Sequence, residues 1–308
     1  MKTRPFKQVD VFTGTPYFGN PLAVVLDGSG LDDAAMQRFA HWTNLSETTF
    51  LLPPTNPSAD YSVRIFTPGG ELPFAGHPTL GSCHSWLQAG GHPQAKDFIV
   101  QECKVGLVKI RRETGTPRLA FAAPTLKRSA PSPALLAQVA GALGLKATSI
   151  LAAQCLDNGP VWLGLLLDSP ETVFQLAPDH KALVKLDAKV GVVARYPQEP
   201  GTPLISRANR EAKAFTPSTD AVATRIAPDF EVRAFVAPVG IDEDPVTGSL
   251  NASLAQWLIA EGHAPEQYVA SQGICLGRAG LVHINRDASG QVWVGGESVT
   301  CIDGSVTL

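Results

Sequence analysis

Residues 239–263, VGIDEDPVTGSLNASLAQWLIAEGH, repeat an earlier part of the chain. Shifted back by 171 positions, Trp257 falls on Trp86, Ala260 on Ala89, Gly262 on Gly91 and His263 on His92. A strand-type run containing Arg-x-Phe precedes each copy, RIFTP at 64–68 and RAFVAP at 233–238, once a two-residue gap is allowed. Such spacing points to duplication of one structural unit. Each copy then supplies a strand, a glycine-containing loop and a helix start, and a twofold relation aims both helix starts at one cleft. Interfaces between units are favoured ligand positions. Chemistry is therefore expected at FAGHPTLG (74–81) and EDPVTGSL (243–250).

Local chemistry gives each loop a role. In PFAGHPTLGSCHSW (73–86), Pro78 suits the first position of a helix and biases the preceding residue out of helical space, so His77 is expected at the N-cap. Ala75 and Gly76 leave the chain open just upstream, and unpaired amides at a helix start favour an anion such as a carboxylate. Asp244 precedes Pro245, which holds it extended and projects its carboxylate at the loop before the second helix; an Asx-turn or cap fits the same residues. Ser249 and the amides after Gly248 are expected to cap that helix. Glu47 follows a helix ending near Asn44 and precedes an apolar strand. A helix C-terminus and apolar neighbours both raise a carboxyl pKa toward a range useful for proton transfer. A solvated Glu47, or an incidental capping pattern from Asn44, fits the residues equally. Asn20, in the Gly19-Asn20-Pro21 turn, reads as a turn former.

A chain of 308 residues suggests two units. The boundary is expected near residue 125, with 1–125 and 126–290 as halves and a terminal strand near 291–308 packing back on the first. FKQVDVFTGTPYFGNPLAVVLDG reads as two β runs around a turn, and LDDAAMQRFAHWTN as a helix with Leu31, Ala35, Phe39 and Trp42 along one side. Strand-type runs then cover TTFLLPP, YSVRIFTP, 97–100 and 106–111, and APTLKRSAPSPALL reads as a crossover between units. The second unit opens with the helix PALLAQVAGALG and continues through β runs at 161–167, 190–194 and FEVRAFVAP. The class is α+β.

With 25 basic and 28 acidic residues the chain has a formal net charge of −3 and no basic tract, so nucleic acid and membrane surfaces are not expected partners. Charges stand where a signal peptide would need an apolar core, and the expected location is cytoplasmic. Five scattered cysteines form no C-x-x-C pair, and no ligand set surrounds His77 and His84, so neither a disulfide framework nor a metal is expected. QGICLGRAG has glycines at 273, 277 and 280 but lacks the strand-to-helix context of a dinucleotide site. It reads as a strand-turn element lining the cleft.

The motifs DVFTGTPYFGNPLAVV, NLSETTF, FTPGGELPFAGHPTLG, GIDEDPVTGS and SQGICLGRAG, in that order, resemble the phenazine-biosynthesis PhzF-like family of isomerases and epimerases. The resemblance runs nearly end to end. It implies a diaminopimelate epimerase-like fold: two pseudo-symmetric halves, each a curled, mostly antiparallel sheet around a central helix, with the site between them. It implies Glu47 as catalytic acid/base, Asp244 beside the substrate's amino group, and His77 as a cleft residue that bonds substrate or steers the proton. Asn20, Gly76, Gly248 and Ser249 become substrate-binding residues, the last two for a carboxylate. Related cofactor-independent epimerases carry a cysteine in each loop; here the loops offer Gly76 and Asp244, which favours a single glutamate working on one substrate face. Leu250 and Asn251 depart from the small residue and the frequent histidine of the family pattern. The implied activity is cofactor-independent isomerisation of a small carboxylate-bearing substrate by a homodimer. An epimerase or racemase using Glu47 with Asp244, and a binding protein on the same fold, are the alternatives.

Overall fold

A computed structural model describes residues 1–197 and 227–308. The first half runs β1 (Thr3–Val11), β2 (Asn20–Val25), α1 (Asp33–Thr43), β3 (Glu47–Leu52), β4 (Tyr61–Thr67), β5 (Gly70–Leu72), α2 (Gly76–Gln88), β6 (Phe98–Cys103), β7 (Gly106–Arg112) and β8 (Leu119–Ala122). The second runs β9 (Lys127–Ser129), α3 (Pro133–Leu143), β10 (Ile150–Asp157), β11 (Val161–Leu167), α4 (Pro170–Gln175), α5 (His180–Lys185), β12 (Val190–Arg195), β13 (Phe230–Phe235), β14 (Glu243–Asp244), α6 (Gly248–Ala260), β15 (Gln267–Gln272), β16 (Gly280–Arg286), β17 (Val292–Gly296) and β18 (Ser298–Thr307).

The same pairing order occurs twice. β1–β2 antiparallel, β2–β3 parallel, β3–β4 antiparallel, β4–β5 antiparallel, β4–β6 parallel, β6–β7 and β7–β8 antiparallel make one series. β10–β11, β11–β12, β12–β13, β13–β14, β13–β15, β15–β16 and β16–β17 make the other, with the same senses in the same places. β8 pairs with β17, and β18 pairs with β1, so the last strand of the chain lies on the first half. The architecture is a mixed, mostly antiparallel α+β fold in two pseudo-symmetric halves.

Each curled sheet wraps one helix. Nine of the thirteen residues of α2 are buried, although its glycines, serines and threonine are poor helix formers. Packing rather than propensity holds it: a Cβ at Gly81 would come 2.6 Å from Leu22 and 2.9 Å from Val11, so this glycine lets helix and sheet approach. In the second half the roles reverse, and the sheet supplies the gap. A Cβ at Gly191 would meet Leu250 of α6. Cys83 and Trp257 lie fully buried in this shared core.

The structure refines the repeat. α2 and α6 are both thirteen residues long and begin 172 positions apart, and Gly90 (φ 90°) and Gly262 (φ 75°), past their ends, keep that offset. The 171-residue shift that superposes the tryptophans is therefore one position out. Trp86 stacks on Tyr61 at a centroid distance of 5.2 Å and stays partly exposed, whereas Trp257 is wholly enclosed. α1 also departs from expectation. Met36, Phe39 and Ala40 face the sheet, but Trp42 is 78% exposed, because at about 100° per residue it falls to the side of that buried stripe.

Candidate active site

The starts of α2 and α6 meet at the junction of the halves. A Cβ at Gly248 would lie 3.1 Å from the Cα of Gly76, and one at Gly76 would lie 2.7 Å from Phe121 and 3.1 Å from the Cα of Gly248. Only residues without side chains allow this approach. The unpaired amides of both helix starts thus converge, a setting that favours negative charge. Beside them opens a cavity of about 1430 Å³, lined by Ser46, Glu47, Asp244, Thr247 and Ser249 and walled by Phe74, Trp162 and Trp293.

Glu47 is the first residue of β3, brought to the cavity by the turn at Asn44. Its side chain is 15% exposed, and its Oε2 lies 3.4 Å from the Nε2 of His77 without a formed hydrogen bond. Asn20 ties the other groups together. Its Nδ2 donates to Asp244 Oδ1 at 3.0 Å and to the Val246 carbonyl at 2.9 Å, and faces His77 Nδ1 at 3.4 Å. The second Asp244 oxygen accepts from Thr247 Oγ1 at 2.6 Å. Gln272 fixes this loop from behind, donating to the Asp244 carbonyl and Thr247 Oγ1, both at 3.0 Å, while Asn251 donates to the Thr247 carbonyl and Gln272 Oε1, both at 2.9 Å.

Burial sets the protonation states. Loss of hydration raises Glu47 to about 7, opposed only by a hydrogen bond from Ser46. Asp244 rises to about 6 through burial and then through the Glu47 charge, with Thr247 and Asn20 pulling it down. Burial lowers His77 to about 4 against the attraction of Asp244, so the imidazole is neutral at pH 7. The site therefore holds one carboxyl poised between acid and base next to a neutral imidazole.

Among the expected site residues, Glu47, Asp244 and Ser249 line the cavity, whereas Asn20, His77, Gly76 and Gly248 lie behind its wall. His77 is 4% exposed and contacts Glu47 and Asn20 rather than open space. It is also not the N-cap. Ala75 takes that place, and Pro78 stands third in the helix, because any of the first amides lacks an intrahelical partner. Ser249 likewise stands second in α6 after Thr247, whose hydroxyl turns to Asp244 instead of capping. The 273–280 segment backs the Pro245 loop and does not line the cavity: Gly273 (φ 101°) sits with its Cβ direction 2.6 Å from the Pro245 carbonyl oxygen. Glu243 is a structural partner, gripped by Arg233 at 2.9 and 2.8 Å; Arg64 grips Glu71 at 2.8 and 2.6 Å in the other half. Each glutamate opens an E-x-P-x-x-G run, 71–76 and 243–248, a second mark of the repeat in the sequence. No motif marks Thr247 or Gln272, and Asn251 stands out only as a departure from the family pattern, since their bonds span turns that spacing does not reveal. No group of three His, Cys, Asp or Glu side chains suited to a metal occurs among the described residues. None of their helices is long and apolar enough to cross a membrane.

Comparison with known proteins agrees with this fold. The family described as phenazine biosynthesis-like protein matches residues 9–304. Antisense-enhancing sequence 1 of Schizosaccharomyces pombe is 32% identical, covering 99% of both chains. The trans-2,3-dihydro-3-hydroxyanthranilate isomerase of Pseudomonas fluorescens is 30% identical over 97% of this chain and 98% of its own. A PhzF-family phenazine biosynthesis protein of Bacillus anthracis superposes with a TM-score of 0.78 over the full length of both chains, at 22% identity, and carries the likeness in fold alone. The chain belongs to the phenazine biosynthesis-like (PhzF) family and is an isomerase.

Proposed function

We propose that the protein moves a proton between carbons of a small substrate bearing a carboxylate and an amino group, with Glu47 as both acid and base and without a cofactor. The Glu47 carboxylate takes a proton from a substrate C–H, and the electron pair spreads into an adjacent unsaturated system. The resulting carboxylic acid returns the proton to another carbon of that system. One C–H bond breaks, one forms, the double bond moves, and no electron is gained or lost. The observation that carries this reading is the cavity-lining Glu47 carboxyl, raised to about 7 by burial and facing a neutral His77. A neutral imidazole at 3.4 Å brings no counter-charge and so leaves the carboxylate its basicity.

In the same reading the helix-start amides on the cavity side, at Ala75 and Ser249, take the substrate carboxylate, and Asp244 takes the amino group. Asn20 and His77 act as positioning residues. Both Asp244 oxygens accept hydrogen bonds, from Asn20 and Thr247, which suits a fixed carboxylate better than a second proton carrier. That asymmetry favours a one-base isomerase over a Glu47/Asp244 epimerase. The protein works as a cytoplasmic homodimer in this proposal, which follows the family resemblance.

The test follows trans-2,3-dihydro-3-hydroxyanthranilate and a panel of chiral amino acids in deuterated water by NMR and polarimetry. Conversion with a proton or deuteron on a new carbon supports the proposal. Deuterium at the original carbon with loss of optical activity means epimerisation instead.

A further inference from the structure

The two halves place unlike residues at one equivalent position. In the first half Phe50 of β3 pairs with Arg64, and in the second Val192 of β12 pairs with Arg233. The two arginines are equivalent, since each belongs to Arg-x-Phe and grips the glutamate of E-x-P-x-x-G. Three residues back along each strand stand Glu47 and Lys189. The register holds to that point, because the Lys189 carbonyl accepts from Leu163 of β11 at 2.9 Å. The counterpart of the proposed proton carrier is thus a lysine.

Lys189 lines the same cavity. It is half-buried, with its Nζ 5.9 Å from the ring centroid of Trp162, itself only 3% exposed. It forms no ion pair among the described residues, and Asp187 acts on it only through the field. Burial pulls its pKa below the ordinary lysine value. An ammonium partly stripped of water beside an apolar wall gains most from an anionic partner. Lys109, the other basic residue on the lining, is exposed and leans on Phe98, a position at the solvated rim. The cavity, at about 1430 Å³, also exceeds the roughly 300–1,000 Å³ of ordinary small-molecule pockets and leaves room beyond a single ring.

We infer that Lys189 binds a second anionic group of the substrate, so that the physiological substrate is an amino-dicarboxylate or similarly diacidic molecule larger than an anthranilate. This rests on the isomerase reading for the first carboxylate and for the orientation toward Glu47. Lys189 is then a specificity residue contributed by the second half.

Equilibrium binding tests it without turnover. Calorimetric titration of the full chain compares 2-aminoterephthalate with anthranilate, and 2-aminopimelate with 2-aminoheptanoate, at low salt. At least one dicarboxylate is expected to bind about tenfold tighter than its monocarboxylate counterpart. Lys189→Met should erase that preference while leaving monocarboxylate affinity within about twofold, and Lys189→Arg should keep it. Unchanged monocarboxylate binding also reports that the variant is folded, and Lys189→Gln replaces Lys189→Met if it is not. A wild type that prefers neither dicarboxylate, or a preference that survives in Lys189→Met, overturns the inference. Either result leaves the Glu47 reading standing, and loss of that reading by isotope exchange would leave the binding preference unchanged.

Discussion

The side-chain amide of Asn20, on β2, donates at 3.0 Å to the carboxylate of Asp244, on β14 of the other half. The same nitrogen reaches the Val246 carbonyl and faces His77, so one buried side chain registers the two halves and orders the groups around Glu47. The Asp244 carboxyl and the imidazole depend on it for their orientation.

Asn20→Ala should therefore cost about 1–3 kcal/mol, because it strands the Asp244 oxygen and the Val246 carbonyl without a donor. Urea denaturation at pH 7 measures this. Asn20→Asp should be worse than Asn20→Ala at pH 8 and closer to it at pH 5, since it sets a second carboxylate against Asp244. Equal pH dependence for the two variants would contradict the arrangement.

Gly248→Ala should destabilise by about 1–3 kcal/mol, since the new methyl meets backbone on the α2 side that cannot rotate away. Gly141 provides the control. It lies inside α3 with nothing within 4 Å of its Cβ direction, so Gly141→Ala should stabilise by about 0.5–1 kcal/mol. Thermal melting of both variants checks the contrast.

Protonation of the buried carboxyls gives stability a definite pH slope. Glu47 and Glu231 are raised to about 7 and Asp244 to about 6, so the folded protein holds protons that the unfolded chain releases. Their contribution is full below about pH 4.5 and is lost as pH rises through 6 and 7. His77 acts in the opposite sense: its lowered value makes its contribution full above about pH 6.5 and lost as pH falls toward 4. Glu47→Gln should stabilise the protein by about 3 kcal/mol at pH 8 and by little at pH 5. Denaturation midpoints across that range provide the measurement, and a variant no more stable than wild type at pH 8 would contradict a buried, destabilised carboxylate.

Much of the fold is legible in the sequence because the repeat and the strand runs reflect local pattern. The α1 boundaries, β4, β11, β12 and β13 follow from apolar spacing and turn residues. β5 and β8 escape that reading because they are short, and β10 because its residues show no buried/exposed alternation, although Asn158-Gly159-Pro160 marks the turn after it. The site is legible unevenly. Glu47 stands out only through its family motif, since a glutamate after a helix is ordinarily solvated, and its chemistry depends on burial by residues distant in sequence. The helix starts are misread by one or two positions because Pro78 is tolerated anywhere in the unpaired first turn. The Arg233–Glu243 and Gln272–Thr247 contacts depend on register across a hairpin and between strands, which composition does not encode. Lys189 acquires meaning only when the two strand registers are laid side by side.

The most direct test of Glu47 as the proton carrier is exchange of the substrate C–H into deuterated water, measured by NMR for wild type and Glu47→Gln alongside ligand binding. Wild type should exchange with a rate that rises with pH about a midpoint near 7, as the carboxyl ionises. Glu47→Gln should bind the same ligand with similar affinity and lose exchange by a factor of about 10³ or more. Exchange at the wild-type rate in a folded, ligand-binding Glu47→Gln protein would contradict the account.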